Sequence, residues 1–379
     1  MRGHIRKRGK KWSVVVDVGH DETGQRRQRW HSGYNTRREA QAALTELLGR
    51  VQRGDYVEPS KQTVAGFTAR WLESVKVRVR PSTFGMYETL CRLYVAPMLG
   101  TIGLQQLTAS RLNGLYAELL VKGRRDGKGG LSPKTCRHLH ATIRAALNDA
   151  VRWQLLTRNV ALQATPPRPQ PKEMQIWTAP ELRAFLAHVE GDRLYGAYVL
   201  AATTGLRRGE LLGLRWRDLH LNAGRLSVTQ TLVSVNYAVS FSTPKTDKGR
   251  RSVALDSATV GALRAHRVAM LEERLSLGLG APTEDGLVFT DLDGTALHPV
   301  GFSERFGRLV KAAGARRIRF HDLRHTHATL ALAAGVHPKV VSERLGHSSV
   351  SITLDLYSHS IPALEEEAAE KVAALVFGS

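Results

Sequence analysis

The sequence is poor in cysteine, in long apolar runs and in acidic residues, and each shortage excludes a class of protein. Its two cysteines, Cys91 and Cys136, are too few for a disulfide framework or a thiolate metal site, so we interpret them as packed thiols. The most apolar stretch, residues 195–206, is shorter than the roughly 20 apolar residues of a membrane span. The basic N-terminus leads into a strand-like segment instead of the apolar core of a signal peptide. We therefore expect a cytoplasmic protein with no membrane insertion.

Basic residues far outnumber acidic ones, because 55 lysines and arginines face 34 aspartates and glutamates and leave a net charge of +21. This excess needs counterions or an anionic partner, and nucleic acid is the leading candidate. Hydrophobic residues make up 42% of the 379 residues, which is a globular composition. That length indicates two or three domains, each able to bury its own core.

The positive charge is concentrated in the middle of the chain. Residues 1–60 hold 13 basic and 7 acidic residues, residues 61–171 hold 17 and 5, and residues 172–379 hold 25 and 22. A proline-rich stretch at residues 165–171 favours an extended spacer, and a weaker break lies at residues 54–61, where a helical pattern stops. We therefore predict domains over residues 1–58, 61–165 and 172–379, and the middle one would bind DNA with a steep salt dependence.

The first domain is predicted to be a small α+β unit. Strand-like residues 12–18 and 26–30 flank a turn over residues 20–25, which predicts a hairpin. Asn35 or Thr36 can cap a helix that runs to about Arg53 and packs on the sheet. The last strand carries three arginines that fit a solvated edge and a DNA-binding sheet about equally well, namely Arg26, Arg27 and Arg29.

The second domain is predicted to be all-α, because residues 63–159 follow a helical pattern. We predict helix caps at Ser82 and Thr83 and at Ser132, with a glycine-rich basic loop over residues 122–130. A basic helix face is usually only a solvated face, yet the charge of this segment favours contact with DNA phosphates. The candidate contacts lie on one helix and are Lys134, Arg137, His138 and Arg144.

The third domain is predicted to be mainly helical with a small antiparallel sheet, whose strands cover residues 226–231, 233–242 and 251–255. Cations mark its turns and helix ends. Arg207 precedes Glu210 by three residues, and a fixed guanidinium with a supporting carboxylate suits an oxyanion. Residues 243–250 form a turn-rich connection that places Lys245 or Lys248 near its tip.

Later in this domain, His321 and Arg324 lie one turn apart at the start of a predicted helix. A helix ends at Gly346, and His347 follows it before a serine that can cap the next helix. Ten residues further on the sequence presents Tyr357. The order arginine, lysine, His-x-x-Arg, Leu-Gly-His and tyrosine resembles that of the tyrosine recombinases, specifically the phage-type integrases.

The whole chain resembles integrases that have an arm-site-binding domain with a three-stranded sheet and a helix, an all-α core-binding domain and a catalytic domain. The resemblance implies a site-specific recombinase that integrates or excises a mobile element or prophage. Tyr357 would attack the scissile phosphate and form a 3′-phosphotyrosyl bond. Arg207 and Arg324 would hold the non-bridging oxygens, since bidentate guanidinium groups match phosphate geometry.

The remaining roles are implied in the same way. His321 would assist proton transfer, His347 would hydrogen-bond the phosphate, and Lys245 would protonate the departing 5′-oxygen. Glu210 would orient the arginines or His321. Two choices stay open at this point, because the neighbouring Arg208 could replace Arg207, and Lys248 could replace Lys245.

The resemblance implies no cofactor, since the phosphodiester energy is kept in the phosphotyrosine bond. His321 and His325 are spaced for a metal, but no third ligand has suitable spacing, so we predict no metal site. The expected partners are double-stranded DNA, with its core and arm attachment sites, and three further protomers in a tetramer. The resemblance leaves room for an accessory DNA-bending or directionality protein, and we expect the protein at the nucleoid. The helix predicted over residues 361–376 could dock on a neighbouring protomer or fold back on its own domain.

Two other functions fit parts of this pattern. A DNA-binding accessory or regulatory protein could keep the fold without the chemistry, and the charge of the middle domain would suit it. An enzyme similar to the type IB topoisomerases would share the tyrosine chemistry but act independently of DNA sequence. Strand exchange between two cognate sites separates the recombinase from both.

Overall fold

The computed structural model describes residues 3–20, 23–54, 56–170, 174–235, 237–243, 249–357 and 362–378. The chain forms two compact units, which divide between Pro171 and Lys172. None of the helices in these ranges combines the length and the apolar character that crossing a lipid bilayer requires.

The first unit begins with an antiparallel sheet in the order β1-β2-β3, whose strands are Gly3–Arg8, Lys11–His20 and Arg26–Tyr34. Helix α1, Arg37–Gln52, begins after Thr36, whose side-chain oxygen accepts a hydrogen bond from Glu39 N at 3.1 Å. The helix covers one sheet face because Val14 and Val16, two residues apart on β2, pack with Leu44. The predicted small α+β domain is confirmed.

The rest of the first unit is helical, as predicted. Its hydrophobic core includes the fully buried Phe67, Trp71, Tyr116 and Leu139. A π-helical turn joins the third and fourth helices, and the elements are α2 Val64–Lys76, α3 Pro81–Leu90, the turn Cys91–Val95, α4 Ala96–Leu99, α5 Ala109–Lys122 and α6 Pro133–Arg152.

One of the two helix caps predicted for this helical part of the unit is wrong. Ser132 caps α6 as expected, and its hydroxyl accepts from Thr135 N at 3.1 Å. Helix α3 instead begins at Pro81, with Arg80 before it and no side-chain cap. Proline has a φ angle already suited to a helix and no N–H to satisfy, so it starts the helix ahead of the serine and threonine.

The second unit is mainly helical around an aromatic core in which Trp177, Phe185, Tyr198 and Phe306 touch one another. Its helices are α7 Ala179–His188, α8 Tyr195–Thr204, α9 Arg208–Leu212, α10 Ser257–Ser276, α11 Pro299–Ala312, α12 Asp322–Ala333, α13 Pro338–Leu345, α14 Val350–Tyr357 and α15 Pro362–Phe377. Its strands are β4 Leu219–His220, β5 Arg225–Val228, β6 Thr231–Val235, β7 Ala238–Ser242 and β8 Arg251–Ala254.

These strands form two small antiparallel sheets, of order β4-β5-β8 and β6-β7. The single strand predicted over residues 233–242 is wrong, because the chain reverses within it and Val235 pairs with Ala238. Tyr237 in the turn has φ 63°, a left-handed conformation that residues other than glycine rarely adopt. The turn has no glycine or proline, and valines on both sides continue the strand pattern, which outweighed the turn preference of Asn236 in the sequence.

Candidate active site

Arg207 stands between two helices at a tightly packed junction. Helix α8 ends at Gly205, whose φ of 64° is left-handed. A Cβ atom there would lie 2.5 Å from Leu345 Cδ2 and 2.9 Å from His327 Cδ2. Glycine is therefore required on both counts, and it lets the end of α8 approach α12 and α13. Arg207 follows two residues later, immediately before α9 begins.

Arg324 and Arg207 meet at the carboxyl end of α13. Arg324, in the first turn of α12, donates from Nη1 to Gly205 O at 2.7 Å and from Nη2 to Leu345 O at 2.8 Å. Arg207 Nη2 donates to the next carbonyl, Gly346 O, at 3.0 Å. Arg324 is 3% exposed, whereas the Arg207 side chain is 41% exposed. The final carbonyls of a helix lack intrahelical partners and carry partial negative charge, so this end attracts cations.

Glu210 supports Arg207 from below the surface. One of its oxygens accepts from Arg207 Nη1 at 2.8 Å, and the other accepts from the backbone N–H of Arg207 at 2.9 Å. A second cation, Arg251 at the start of β8, donates to both oxygens at 3.1 and 2.9 Å. Burial alone would raise the pKa of Glu210, but the hydrogen bonds and charges of Arg251 and Arg207 outweigh it and lower the pKa.

Sequence reasoning missed Arg251. Its side chain is 7% exposed, and its Nε donates to Arg344 O at 2.7 Å. In the sequence it is one of two adjacent arginines, Arg250 and Arg251, and nothing in the local pattern distinguishes the buried one. Its partner Glu210 is distant in the chain, so only the folded structure reveals the pair.

His321 and His325 lie together at the start of α12, with ring centroids 5.2 Å apart. The pKa of His321 is lowered to about 4, first by desolvation and then by the neighbouring His325 and Arg324, although the residue keeps an exposed edge. Both rings are therefore neutral at pH 7, since desolvation also lowers the pKa of His325. Within the described ranges, no group of three or more histidine, cysteine or acidic residues is arranged to hold a metal ion.

His347 links the end of α13 to α14. Its backbone N–H donates to Ser342 O at 3.0 Å, and its ring Nδ1 lies 2.8 Å from Thr353 Oγ1. Desolvation and the charges of Arg324 and Arg207 lower the pKa of His347 to about 4. A neutral ring that accepts from the threonine hydroxyl at Nδ1 carries its proton on Nε2 and can donate it to an anion.

Arg208 faces a different direction from Arg207. Its Nη1 donates to Ser303 Oγ of α11 at 2.7 Å, and burial lowers its pKa. Both arginines line a cleft of about 1380 Å³ whose walls carry further cations, namely Arg308, Lys311, Arg317 and Arg319. Of the two neighbours, Arg207 is the one that shares the α13 turn with Arg324.

Tyr357 can be located only in part, and the candidate lysines cannot be located. Tyr357 is the last residue of α14, the helix that begins shortly after His347, and its side chain lies outside the described part of the structure. Lys245 and its alternative Lys248 both fall outside the described residues.

The arginines of β3 are occupied by acidic partners within the first unit. Arg27 and Arg29 both reach Glu58, with N to O distances of 3.0 and 2.6 Å, and Arg26 pairs with Asp17. By contrast, the four candidates on α6 lie on its exposed face, opposite the buried Leu139 and Leu147: Lys134, Arg137, His138 and Arg144.

Family models match three successive parts of the chain: an arm DNA-binding domain matches residues 4–51, a phage integrase N-terminal SAM-like domain matches residues 63–120, and the phage integrase family matches residues 176–363. A curated relative, the "Tyrosine recombinase XerC-like" protein of Caldanaerobacter subterraneus subsp. tengcongensis, is 30% identical, with 96% of each chain covered. The chain belongs to the phage integrase family. It is a tyrosine-type site-specific recombinase, as the sequence motifs predicted.

Other integrases show the same likeness over most of their length. The ICEBs1 integrase of Bacillus subtilis is 24% identical over 95% of this chain and 96% of its own. The Tn1549 transposon integrase, solved in complex with a circular intermediate DNA, is 24% identical with a TM-score of 0.66 and covers 82% of this chain and 100% of its own. A lambda integrase tetramer bound to a Holliday junction gives a TM-score of 0.58 at 18% identity, with 94% of each chain covered. These structures show the shared fold and confirm the predicted fold class.

Proposed function

We propose that this recombinase cuts and rejoins double-stranded DNA at attachment sites through a 3′-phosphotyrosyl intermediate on Tyr357. The observation that carries the proposal is the pair of guanidinium groups, Arg207 and Arg324, on adjacent carbonyls at the end of α13. Helix α14 begins a few residues after that turn and ends at Tyr357.

In the proposed step, the Tyr357 oxygen attacks the scissile phosphorus while the bond from phosphorus to the 5′-oxygen breaks. The phenolic proton leaves as the new ester forms, and the departing 5′-oxygen gains a proton. A free tyrosine has a pKa of about 10, so cations must favour the phenolate. Arg207 and Arg324 supply that charge and stabilise the pentavalent transition state.

The histidines and Lys245 complete the proton transfers. The low pKa of His321 keeps its ring neutral at pH 7, which is the form that can accept a proton. His347 donates a hydrogen bond from Nε2 to the phosphate, and Lys245 protonates the 5′-oxygen. Glu210 orients Arg207, a role that is supported by the two hydrogen bonds that its carboxylate accepts from that residue.

The proposed exchange conserves its energy, because one phosphoester replaces another. The free 5′-hydroxyl of a partner strand reverses the attack and joins to it, so the exchange itself calls for no nucleoside triphosphate. Two successive exchanges pass through a four-way junction, which requires four protomers on two DNA sites.

We further propose three functional domains over residues 1–58, 61–165 and 172–379. The first binds arm sites, with Arg26, Arg27 and Arg29 at its surface. The second binds the core site, and its contacts are carried by the exposed basic face of α6. This division is supported by the three family models, which fall within those ranges in order.

Assembly into a tetramer is supported by α15, whose exposed apolar side chains would gain from burial against another protomer. Val372, Leu375, Val376 and Phe377 are 60%, 87%, 68% and 83% exposed. We propose that this helix docks on a neighbouring protomer at the nucleoid-bound attachment site. Accessory DNA-bending or directionality proteins would act on the same assembly.

A nicked duplex that carries the core site from the junctions of the mobile element tests the proposal. Cleavage releases a short strand and traps the protein on DNA, which electrophoresis under denaturing conditions detects. We expect the wild-type protein to form this adduct and Tyr357→Phe to form none. An adduct of equal yield with Tyr357→Phe would refute the assignment.

A further inference from the structure

Three consecutive carbonyls at the end of α13 accept hydrogen bonds from three arginines. Arg344 O accepts from Arg251 Nε at 2.7 Å, Leu345 O accepts from Arg324, and Gly346 O accepts from Arg207. We propose that Arg251 is a positioning residue, which holds Arg207 in its phosphate-binding position through Glu210 and through this turn. The inference rests on the proposed function, because it concerns the same active site.

The contacts of Arg251 indicate that it positions neighbouring groups and does not bind the substrate. Its Nη1 and Nη2 donate to Glu210, Nη1 also donates to Gly249 O at 3.2 Å, and Nε donates to Arg344 O. Four of its five N–H groups donate to protein acceptors, which leaves one for any other partner. A group bonded on every nitrogen to protein atoms acts on the phosphate through its neighbours.

The contacts of Arg207, unlike those of Arg251, leave part of its guanidinium group open to a phosphate. Its Nη1 binds Glu210 and its Nη2 binds Gly346 O, so among the described residues two of its five N–H groups have side-chain or carbonyl partners. With 41% of its side chain exposed, the others remain for a phosphate. Glu210 thus has two cations, of which the buried Arg251 balances its charge and the exposed Arg207 keeps a free edge.

Removing Arg251 would affect both groups that hold Arg207, which are Glu210 and the turn at the end of α13. Glu210 would lose its bidentate partner and retain only Arg207, which would draw that guanidinium inward toward the buried carboxylate. The carbonyl of Arg344 would lose its donor, so the turn that spaces Arg207 and Arg324 would loosen. A displacement of about 1 Å in such a group can cost about 100-fold in rate.

Loss of an ion pair that only stabilises the fold should not affect the phosphate-binding arginines. The chain offers such a pair as a matched control. Arg193 makes a bidentate pair with Glu273 at 2.7 and 2.6 Å and donates to Thr290 O at 2.6 Å. It lies before the N-terminus of α8, whereas Arg207 follows the C-terminus of that ten-residue helix, about 15 Å away. Arg193→Gln therefore removes a similar pair without touching the α13 turn.

The test compares cleavage rates of the full-length Arg251→Gln and Arg193→Gln variants on two nicked core-site duplexes. One has a normal scissile phosphodiester, and the other has a methylphosphonate there, in which a methyl group replaces one non-bridging oxygen. The neutral linkage develops one less negative charge in the transition state and needs less guanidinium support. A loss of folded protein would lower both rates by the same factor.

We expect Arg251→Gln to slow cleavage of the phosphodiester by about 10- to 100-fold and to approach the wild-type rate on the methylphosphonate. Arg207→Ala serves as the positive control and should show the same substrate dependence. Arg251→Lys, which keeps the charge but not the bidentate contact, should recover part of the lost rate. Equal losses on both substrates for Arg251→Gln, or losses no larger than those of Arg193→Gln, would overturn the inference.

A second variant covers the case in which Arg251→Gln folds poorly because Glu210 is left as a buried charge. Glu210→Gln combined with Arg251→Gln removes that charge, and we expect its cleavage defect to be no larger than the greater of the two single defects. Multiplied defects would mean that the two residues act separately. Failure of the wild type to form any adduct would count against the proposed function itself, whereas a normal Arg251→Gln would count only against this inference.

Discussion

Arg324 and Arg207 donate to adjacent carbonyls, Leu345 O at 2.8 Å and Gly346 O at 3.0 Å. The two side chains come from distant segments, so a single peptide unit at the end of α13 sets the spacing between their guanidinium groups. The same turn leads through His347 to the helix that ends at Tyr357. The anion-binding groups and the proposed nucleophile therefore share one short connection.

We expect Arg207→Lys and Arg324→Lys to slow adduct formation by about 100- to 1000-fold, because lysine keeps the charge but lacks the planar fork. Arg208→Lys is the matched control, since Arg208 contacts Ser303 on α11 instead of the α13 turn. Single-turnover cleavage of the nicked duplex measures all three. A greater loss for Arg208→Lys than for Arg207→Lys would exchange the two roles.

The proposed general acid can be separated from its neighbour by changing the leaving group. Lys245→Ala should slow cleavage of an ordinary phosphodiester by about 100- to 10,000-fold. A substrate with sulfur in place of the bridging 5′-oxygen should restore the rate, since a thiolate leaves without a proton. Lys248→Ala should behave like the wild type on both substrates. Rescue of Lys248→Ala and not of Lys245→Ala would assign the acid to Lys248.

The sequence predicted much of this fold because its signals are local. Thr36 and Ser132 cap helices as expected, and the His321 and Arg324 pair opens α12. The errors are also local in origin, since Pro81 starts α3 early and the hairpin turn at Tyr237 lacks glycine and proline.

The sequence could not reveal which charged side chains pair with each other after folding. Arg251 resembles its neighbour Arg250 until Glu210 and the carbonyl of Arg344 enclose it. The arginines of β3 look free in the sequence, yet Glu58 in the following connection contacts two of them. Such pairs depend on tertiary contacts between distant residues, which periodicity and spacing do not encode.

We expect the free energy of unfolding to fall in acid, because three histidines of the second unit have lowered pKa values. The pKa values of His321, His327 and His347 are each lowered to about 4, mainly by desolvation. The unfolded chain, with histidine pKa values near 6.5, binds more protons between these limits. The free energy of unfolding is therefore at its full value above pH 6.5 and falls as the pH drops toward 4.

Thermal unfolding of the full chain at pH 7.5 and pH 5 measures this loss, with the DNA absent. His327 is the most informative position, because its Nδ1 lies 3.1 Å from Ala202 O while its buried Nε2 has no hydrogen-bond partner in the part of the chain that the structure describes. His327→Gln should reduce the difference in Tm between the two pH values. A wild-type Tm that is the same at both would contradict the prediction.

We expect Glu58 and the phosphates of arm-site DNA to compete for the same arginines. It pairs with Arg27 and Arg29 of β3, and arm-site phosphates would have to displace it. Exposed ion pairs are weak, so Glu58→Gln should raise arm-site affinity by only about two- to fivefold. Fluorescence anisotropy with a labelled arm-site duplex measures the change. Glu46→Gln is the control, because Glu46 pairs with Arg50 along α1 and not with β3. Equal gains for both variants would mean that overall charge, and not release of the two arginines, controls arm-site binding.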